Sequence, residues 1–282
     1  LHLSLRRQRQ MCIRDSSRIM PGPIFEVDSN LNENQSFLVV VTIALFTAVT
    51  EELQILLTRR DTPPFRDSWA LPTGFVEFDE DLDSAALRKL SEVSGIENPR
   101  HLEQFSTCGD PDRDPRTRVI SINYWGATPE AILPKRSPES IHATFVPLSE
   151  LKTQEFRLAF DHSQIITNGL FTAQKRIGDS TIATQFCQSE FTISQLRHVY
   201  DTVWDTQIEP ANFQRKVKQS KGFLVPLDRK AISADMAGRP AELWTAGPAL
   251  ELIPPLSKPN ELSAPLTNLD PTEDTSDPPV ID

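Results

Sequence analysis

Between Gly74 and Ile96 the chain sets Glu80, Arg88 and Glu92 at spacings that fit a loop and the helix that follows it. Positions 89, 92 and 93 are three and four residues apart, so they share one helical face. Carboxylates on such a face would hold hard divalent cations, which take oxygen ligands and bridge phosphate groups. This face offers one carboxylate, Glu92; Lys89 adds an ammonium and Val93 an isopropyl group. An ammonium a few ångströms from a metal site repels the ion that the site should bind. Glu80 and Glu92 are therefore no more than weak metal ligands, magnesium is not required, and no residue of the segment is assigned a catalytic role. Glu92 also has a simpler reading, as the i, i+4 partner of Arg88.

A second cluster lies in Gly109-Asp-Pro-Asp-Arg-Asp-Pro-Arg116-Thr-Arg-Val, where Arg113, Arg116 and Arg118 interleave with Asp110, Asp112 and Asp114 ahead of a strand-like run. Guanidinium groups match diphosphate oxygens and carboxylates match ribose hydroxyls, so the loop could cradle a nucleotide. A self-neutralising surface loop is the alternative. Arg59 and Arg60, at a strand end, are further ligand candidates by position. Asp161 and His162 read as a helix start rather than a catalytic pair, and Trp69 and Phe75 either stack on a base or support the core.

The formal charge of −10 seems to exclude nucleic acid until it is divided along the chain. Residues 212–239 carry seven basic and two acidic residues, and residues 249–282 one basic and seven acidic. Phe213 and Val217 face inward at i, i+4, leaving Asn212, Gln214, Arg215, Lys216 and Lys218 outside on a helix. Arg229, Lys230 and Arg239 follow on a predicted hairpin. A basic helix with a basic hairpin fits double-stranded DNA, with Arg215 or Gln214 placed for base edges and Lys216, Arg229 and Arg239 for phosphates. A merely solvated helix face leaves the basic hairpin unexplained.

The elements that must position these groups begin with strand-like runs at 37–49 and 53–58, and Val119–Trp125 is another. The 13-residue apolar run Phe37–Val49 is too short to span a bilayer and reads as buried strand. Apolar positions 156, 160, 165, 166 and 170 form a helical stripe. Phe191–Trp204 reads as an amphipathic helix with Thr192 as N-cap, and Glu209-Pro210 opens the basic helix. Three widely separated cysteines give neither a disulfide framework nor a metal cluster, which fits a reducing cytoplasm. The expected organisation is a disordered or non-native leader at 1–35, a ligand-binding domain at 36–180, a winged helix at 181–248 and a disordered acidic, proline-rich tail at 249–282.

Gly74, Glu80, Arg88, Leu90, Glu92, Gly95 and Ile96 stand where the Nudix box, G-x5-E-x7-R-E-U-x-E-E-x-G-U with U aliphatic, has its fixed residues. Lys89 and Val93 replace two of its glutamates. With a C-terminal winged helix, and with Trp69-Ala-Leu-Pro-Thr-Gly-Phe-Val, the arginine loop, Leu158-Ala-Phe-Asp-His162, Phe191-Thr-Ile-Ser-Gln-Leu and Asn212-Phe-Gln-Arg-Lys216, the chain resembles the Nudix-related transcriptional regulators, NrtR, over residues 36–247. The resemblance implies an α+β protein: a Nudix-type α/β/α sandwich with a mixed sheet, followed by a winged helix-turn-helix. It implies a cytoplasmic homodimer that represses genes of NAD metabolism and leaves its operator when ADP-ribose or a related nucleotide binds. Under it, Arg113, Arg116 and Arg118 become the ligand set, to which position adds Arg59. The rival readings are a hydrolase acting on ADP-ribose or a similar nucleoside diphosphate derivative, and a DNA-binding protein whose first domain only dimerises.

Overall fold

The computed structural model describes residues 37–49, 51–129, 143–153, 156–230 and 241–259. The leader at 1–35, Arg239, Cys12 and the tail beyond 259 lie outside the described residues.

The run of β-branched residues after Phe37 forms β1 (Leu38–Thr47), the centre of a seven-stranded mixed sheet. Along one edge β1 runs parallel to β6 (Val119–Ala127), from Leu38↔Val119 to Phe46↔Ala127, and β5 (His101–Cys108) pairs antiparallel beyond it. Two further strands pair antiparallel with β1: β4 (Thr73–Phe75) at residues 40–42 and β2 (Gln54–Arg59) at residues 46–47. β2 diverges from β1 to take β3 (Trp69–Ala70) at its far end, and β7 (Ala143–Pro147) pairs along its length.

Alternation along β1 builds a core on each face. Val41, Ile43 and Leu45 pack with Ala85, Ala86 and Leu90 of α1 (Leu82–Ser94). Ala44 and Phe46 pack with Ile165, Ala173 and Ile177 of α2 (His162–Asp179). Helix, sheet and helix thus form the expected sandwich, and burial on both faces explains why β1 reads as an unbroken apolar run. Asp81 caps α1 by accepting from the Ser84 amide, and Gly95 ends it in the left-handed conformation at φ 74°.

The winged helix follows. Thr192 and Gln195 form a reciprocal capping box on α3 (Ile193–Trp204). Glu209 caps α4 (Pro210–Gln219) by accepting from the amides of Ala211 and Asn212. β8 (Leu224–Lys230) and β9 (Glu242–Ala246) make the wing, and Phe191 adds an isolated antiparallel bridge to Trp244. Phe213 and Val217 are buried, and the Phe213 ring meets Tyr200 edge-on with centroids 5.2 Å apart. The module is fastened to α2: Tyr200 donates to the Ile177 carbonyl and Trp204 to the Gln174 carbonyl, while the Gln174 side chain donates to Val203, each at 2.9 Å.

Three expectations are corrected. The stripe at 156–170 is not one helix, because α2 starts at His162 and Phe160 sits in the left-handed region at φ 53°. The opening of the supposed tail is seated rather than loose. Leu252 and Leu256 are buried, and their amides donate to the carbonyls of Asp179 and Gly178 at the end of α2. A side chain at Gly178 would put a Cβ 2.8 Å from the Leu256 carbonyl oxygen, so the absence of one permits this contact. Lastly, β5 lies in a stretch for which no strand was expected; its residues are only half buried and a bulge falls between Gln104 and Ser106.

Candidate functional site

The divergence of β2 from β1 opens a cavity of about 310 Å³, a volume within the range of small-molecule sites. Val40, Thr58 and Arg59 line it from the sheet, Gly74 and Phe75 from the loop entering the box, and Lys89 and Val93 from α1. Arg113, Asp114 and Arg116 come from the loop between β5 and β6, and Arg60, Phe160 and His162 complete the wall.

Of the four arginines assigned from sequence, Arg59, Arg113 and Arg116 line the cavity. Arg59 is exposed at the end of β2. The Arg116 guanidinium is held by both carboxylate oxygens of Asp114, at 3.0 and 2.7 Å, and this pairing keeps the Asp114 carboxyl below its ordinary range. Arg113 is almost fully buried, and Asp161 takes it with two bonds of 3.0 and 2.7 Å. Arg118 corrects the expectation, since it does not line the cavity. Its guanidinium carbon lies 5.9 Å from the Phe37 ring centroid, and Nη1 is buried without a hydrogen-bond partner among the described residues.

Asp161 and His162 do stand at a helix start, Asp161 as N-cap and His162 as the first residue of α2, and each side chain has a further partner. Asp161 caps no amide with its side chain; it neutralises Arg113. His162 is 1% exposed, and its Nδ1 accepts the Leu71 amide at 2.9 Å, which requires that nitrogen to be unprotonated. Burial pushes the imidazole down to about 4. Because the folded form holds a neutral ring, protonation favours unfolding. The contribution is whole above the ordinary histidine value of about 6.5 and is lost as pH falls toward 4, about 3 kcal/mol in all. Urea unfolding at pH 7 and pH 4.5 should show this loss. His162→Asn, whose side-chain oxygen replaces Nδ1 as acceptor, should show a smaller drop; equal drops would refute the assignment.

Sequence reasoning undervalued Arg60 and missed Phe160. The Arg60 guanidinium lies 4.9 Å from the Phe160 ring centroid, and burial together with Arg116 lowers its pKa. Phe65 meets the same ring edge-on at 4.8 Å. Arg60 was legible only as the neighbour of Arg59, and nothing in the sequence signals the left-handed turn that presents Phe160. Trp69 supports the core, stacked on Phe156 at 5.7 Å, whereas Phe75 is half exposed at the cavity.

The resemblance to the Nudix family implies a divalent metal, and the donors present do not fit one. Glu80 binds Arg88 with both oxygens, at 2.9 and 2.6 Å, and also accepts the Glu77 amide; Arg88 thereby draws the Glu80 carboxyl down to about 2. Glu92 accepts from Arg88 at 2.9 Å through one oxygen and from Lys89 at 3.2 Å through the other. Although burial opposes it, these bonds lower the Glu92 pKa. The candidate metal carboxylates are thus committed to cations supplied by the chain itself.

On the winged helix, Asn212, Gln214, Arg215, Lys216 and Lys218 are all exposed on α4, as expected. Arg215 donates to the Asn212 side chain at 2.8 Å. Lys218 lies over Trp244 and reaches Glu242 at 3.4 Å. On the wing, Arg229 pairs with Glu190 and Lys230 is exposed. A cleft of about 430 Å³ between α3, α4 and the wing is lined by Gln214, Lys218 and Lys230.

The fold and these two sites define a class: a Nudix-type pocket domain joined to a winged helix of the DNA-binding kind. The NUDIX domain family model matches residues 37–168, and that of the NrtR DNA-binding winged helix domain residues 183–246. The "ADPR responsive transcriptional repressor NtrR" of Acinetobacter baylyi is 29% identical over 209 residues, 73% of this chain and 81% of that protein. The ADP-ribose pyrophosphatase of Methanocaldococcus jannaschii is 35% identical over 124 residues, 44% of this chain and 70% of its own. The crystal structure of Shewanella oneidensis NrtR is similar with a TM-score of 0.66 at 29% identity, over 74% of this chain and 94% of that one; the same figures hold for its complex with a 27mer DNA. The chain belongs to the NrtR family of Nudix-related regulators.

Proposed function

We propose that this protein is a transcriptional repressor that binds operator DNA through the winged helix as a homodimer in the cytoplasm, and that ADP-ribose or a related nucleotide in the Nudix cavity releases it. NAD-metabolism genes are the proposed targets. One observation carries the reading: α2 serves both sites. Its first residue, His162, lines the cavity, and its last two turns bind Tyr200 and Trp204 of the winged helix. The character of the relatives supports it, one being an ADPR-responsive repressor and another having been crystallised with DNA.

In this reading the cavity's own residues bind and orient the nucleotide. Arg59 and Arg116 face the phosphates, Phe160 and Phe75 offer aromatic surface, and the carboxylates of the box stay tied to Arg88 and Lys89. No metal is required and hydrolysis is not efficient. The similarity of the Nudix half to a pyrophosphatase keeps a hydrolase as the second reading.

Genomic-fragment selection with purified protein at fixed salt, with and without ADP-ribose, tests the proposal. A palindrome should be enriched, its half-sites about one helical turn or a multiple apart, and the nucleotide should abolish the enrichment. No palindrome, or one indifferent to every adenine dinucleotide and ADP-sugar tried, would overturn the regulator. Turnover of ADP-ribose with magnesium at about 1–10³ s⁻¹ would favour the hydrolase.

A further inference from the structure

Lys89 stands on the cavity wall, at the place where a hydrolase of this fold would hold its metal. Its aliphatic stem lies against the loop entering the box: a Cβ added to Gly74 would fall 2.8 Å from Lys89 Cδ. Its ammonium sits 3.2 Å from Glu92, with the side chain about a quarter exposed. Glu92 in turn shares Arg88 with Glu80. The ammonium is therefore held at both ends, by packing along the stem and by an ion pair at the head.

We propose that the Lys89 ammonium takes the place of the divalent cation against the ligand's diphosphate, so that this cavity binds its nucleotide without metal. The proposal rests on the nucleotide reading above and names the group that makes such binding independent of metal. An ammonium has three N–H donors, of which Glu92 occupies one. The others match phosphate oxygens, and the positive charge offsets part of the two negative charges of a nucleoside diphosphate ester. What the ammonium cannot do is polarise a phosphoryl oxygen as a Lewis acid or turn bound water into hydroxide. It tethers the diphosphate and leaves it intact, which is what a sensor needs of its ligand. Val93, 8% exposed beside it, adds no oxygen with which a metal could compete.

The test is calorimetric titration of the full chain with ADP-ribose, once in EDTA and once in magnesium. The wild-type affinity should agree between the two buffers within about twofold. Lys89→Met, which keeps the stem against Gly74 and removes the charge, should bind about tenfold or more weakly in both buffers, the loss expected of one charge-assisted contact. Lys89→Arg should retain metal-free binding. Lys89→Glu should be the weakest variant in EDTA and recover on addition of magnesium or manganese. Thermal unfolding of each variant separates lost binding from lost fold, and Lys89→Arg keeps the test decisive where another variant fails to fold. Wild-type binding that needs magnesium, or Lys89→Met binding like wild type, overturns the proposal. Wild type that binds neither ADP-ribose nor any other adenine dinucleotide or ADP-sugar in either buffer overturns the nucleotide reading itself, a result visible before any variant is made.

Discussion

Alanine at both Arg215 and Lys216 is expected to weaken operator binding about 10²- to 10³-fold while leaving the winged helix folded. A lost base-edge contact costs about 1–3 kcal/mol and a lost phosphate contact weakens all sequences alike, and the pair spans both kinds. Both side chains are exposed, so their removal creates no cavity. Helix α4 keeps its Glu209 cap, Pro210 at its first turn, and the buried Phe213 and Val217 that seat it. The rest of the chain is acidic, so binding depends on this small basic surface, and affinity should fall steeply with salt. Fluorescence anisotropy with the selected operator over a salt series measures both effects. Lys216→Ala alone should make the salt slope shallower by about one, and Arg215→Ala alone should relax preference at one base pair. Unchanged affinity in the double variant would show that α4 is not the reading helix.

The second large effect is on stability. Asp161→Asn should destabilise the fold by about 3–5 kcal/mol, because it leaves the Arg113 guanidinium enclosed without its counter-charge. Only 4% of the Arg113 side chain is exposed, and both of its bonds to Asp161 are charge-assisted. Neutralising both partners is cheaper than neutralising one, so Arg113→Met combined with Asp161→Asn should recover much of the loss. Urea unfolding of the two single variants and the double variant gives the coupling. A single-variant loss below about 0.5 kcal/mol would show the pair to be dispensable, as most surface ion pairs are.

Much of this was legible in the sequence because the informative patterns are short-range. The β-branched run of β1, the Thr192 N-cap, the Glu209-Pro210 helix start and the inward Phe213 and Val217 are each decided within a few residues. Lys89 and Val93 were legible as departures from the Nudix box, and the structure adds that Arg88 occupies the carboxylates remaining around them. What escaped depends on distant partners. Asp161 read as a helix start, which it is, but nothing local reveals the side chain's pairing with Arg113, 48 residues earlier. Arg116 and Arg118 look alike on paper, yet Asp114 holds one at the cavity while the other turns to Phe37. Leu252 and Leu256 lie in a proline-rich stretch whose composition reads as disorder, and only the groove beside Gly178 gives them a place.

The coupling proposed between the cavity and the winged helix, which α2 joins, is necessarily two-way. An 18-residue helix is about 27 Å long, and this one meets the cavity at one end and the winged helix at the other. By thermodynamic reciprocity, whatever factor separates DNA affinity in the presence and absence of nucleotide must also separate nucleotide affinity on and off the operator. Operator-bound copies therefore respond at a higher nucleotide concentration than free copies do. The strength of each operator, and not the pocket alone, then sets the metabolite level at which its gene is released, so one protein can switch several genes at different thresholds.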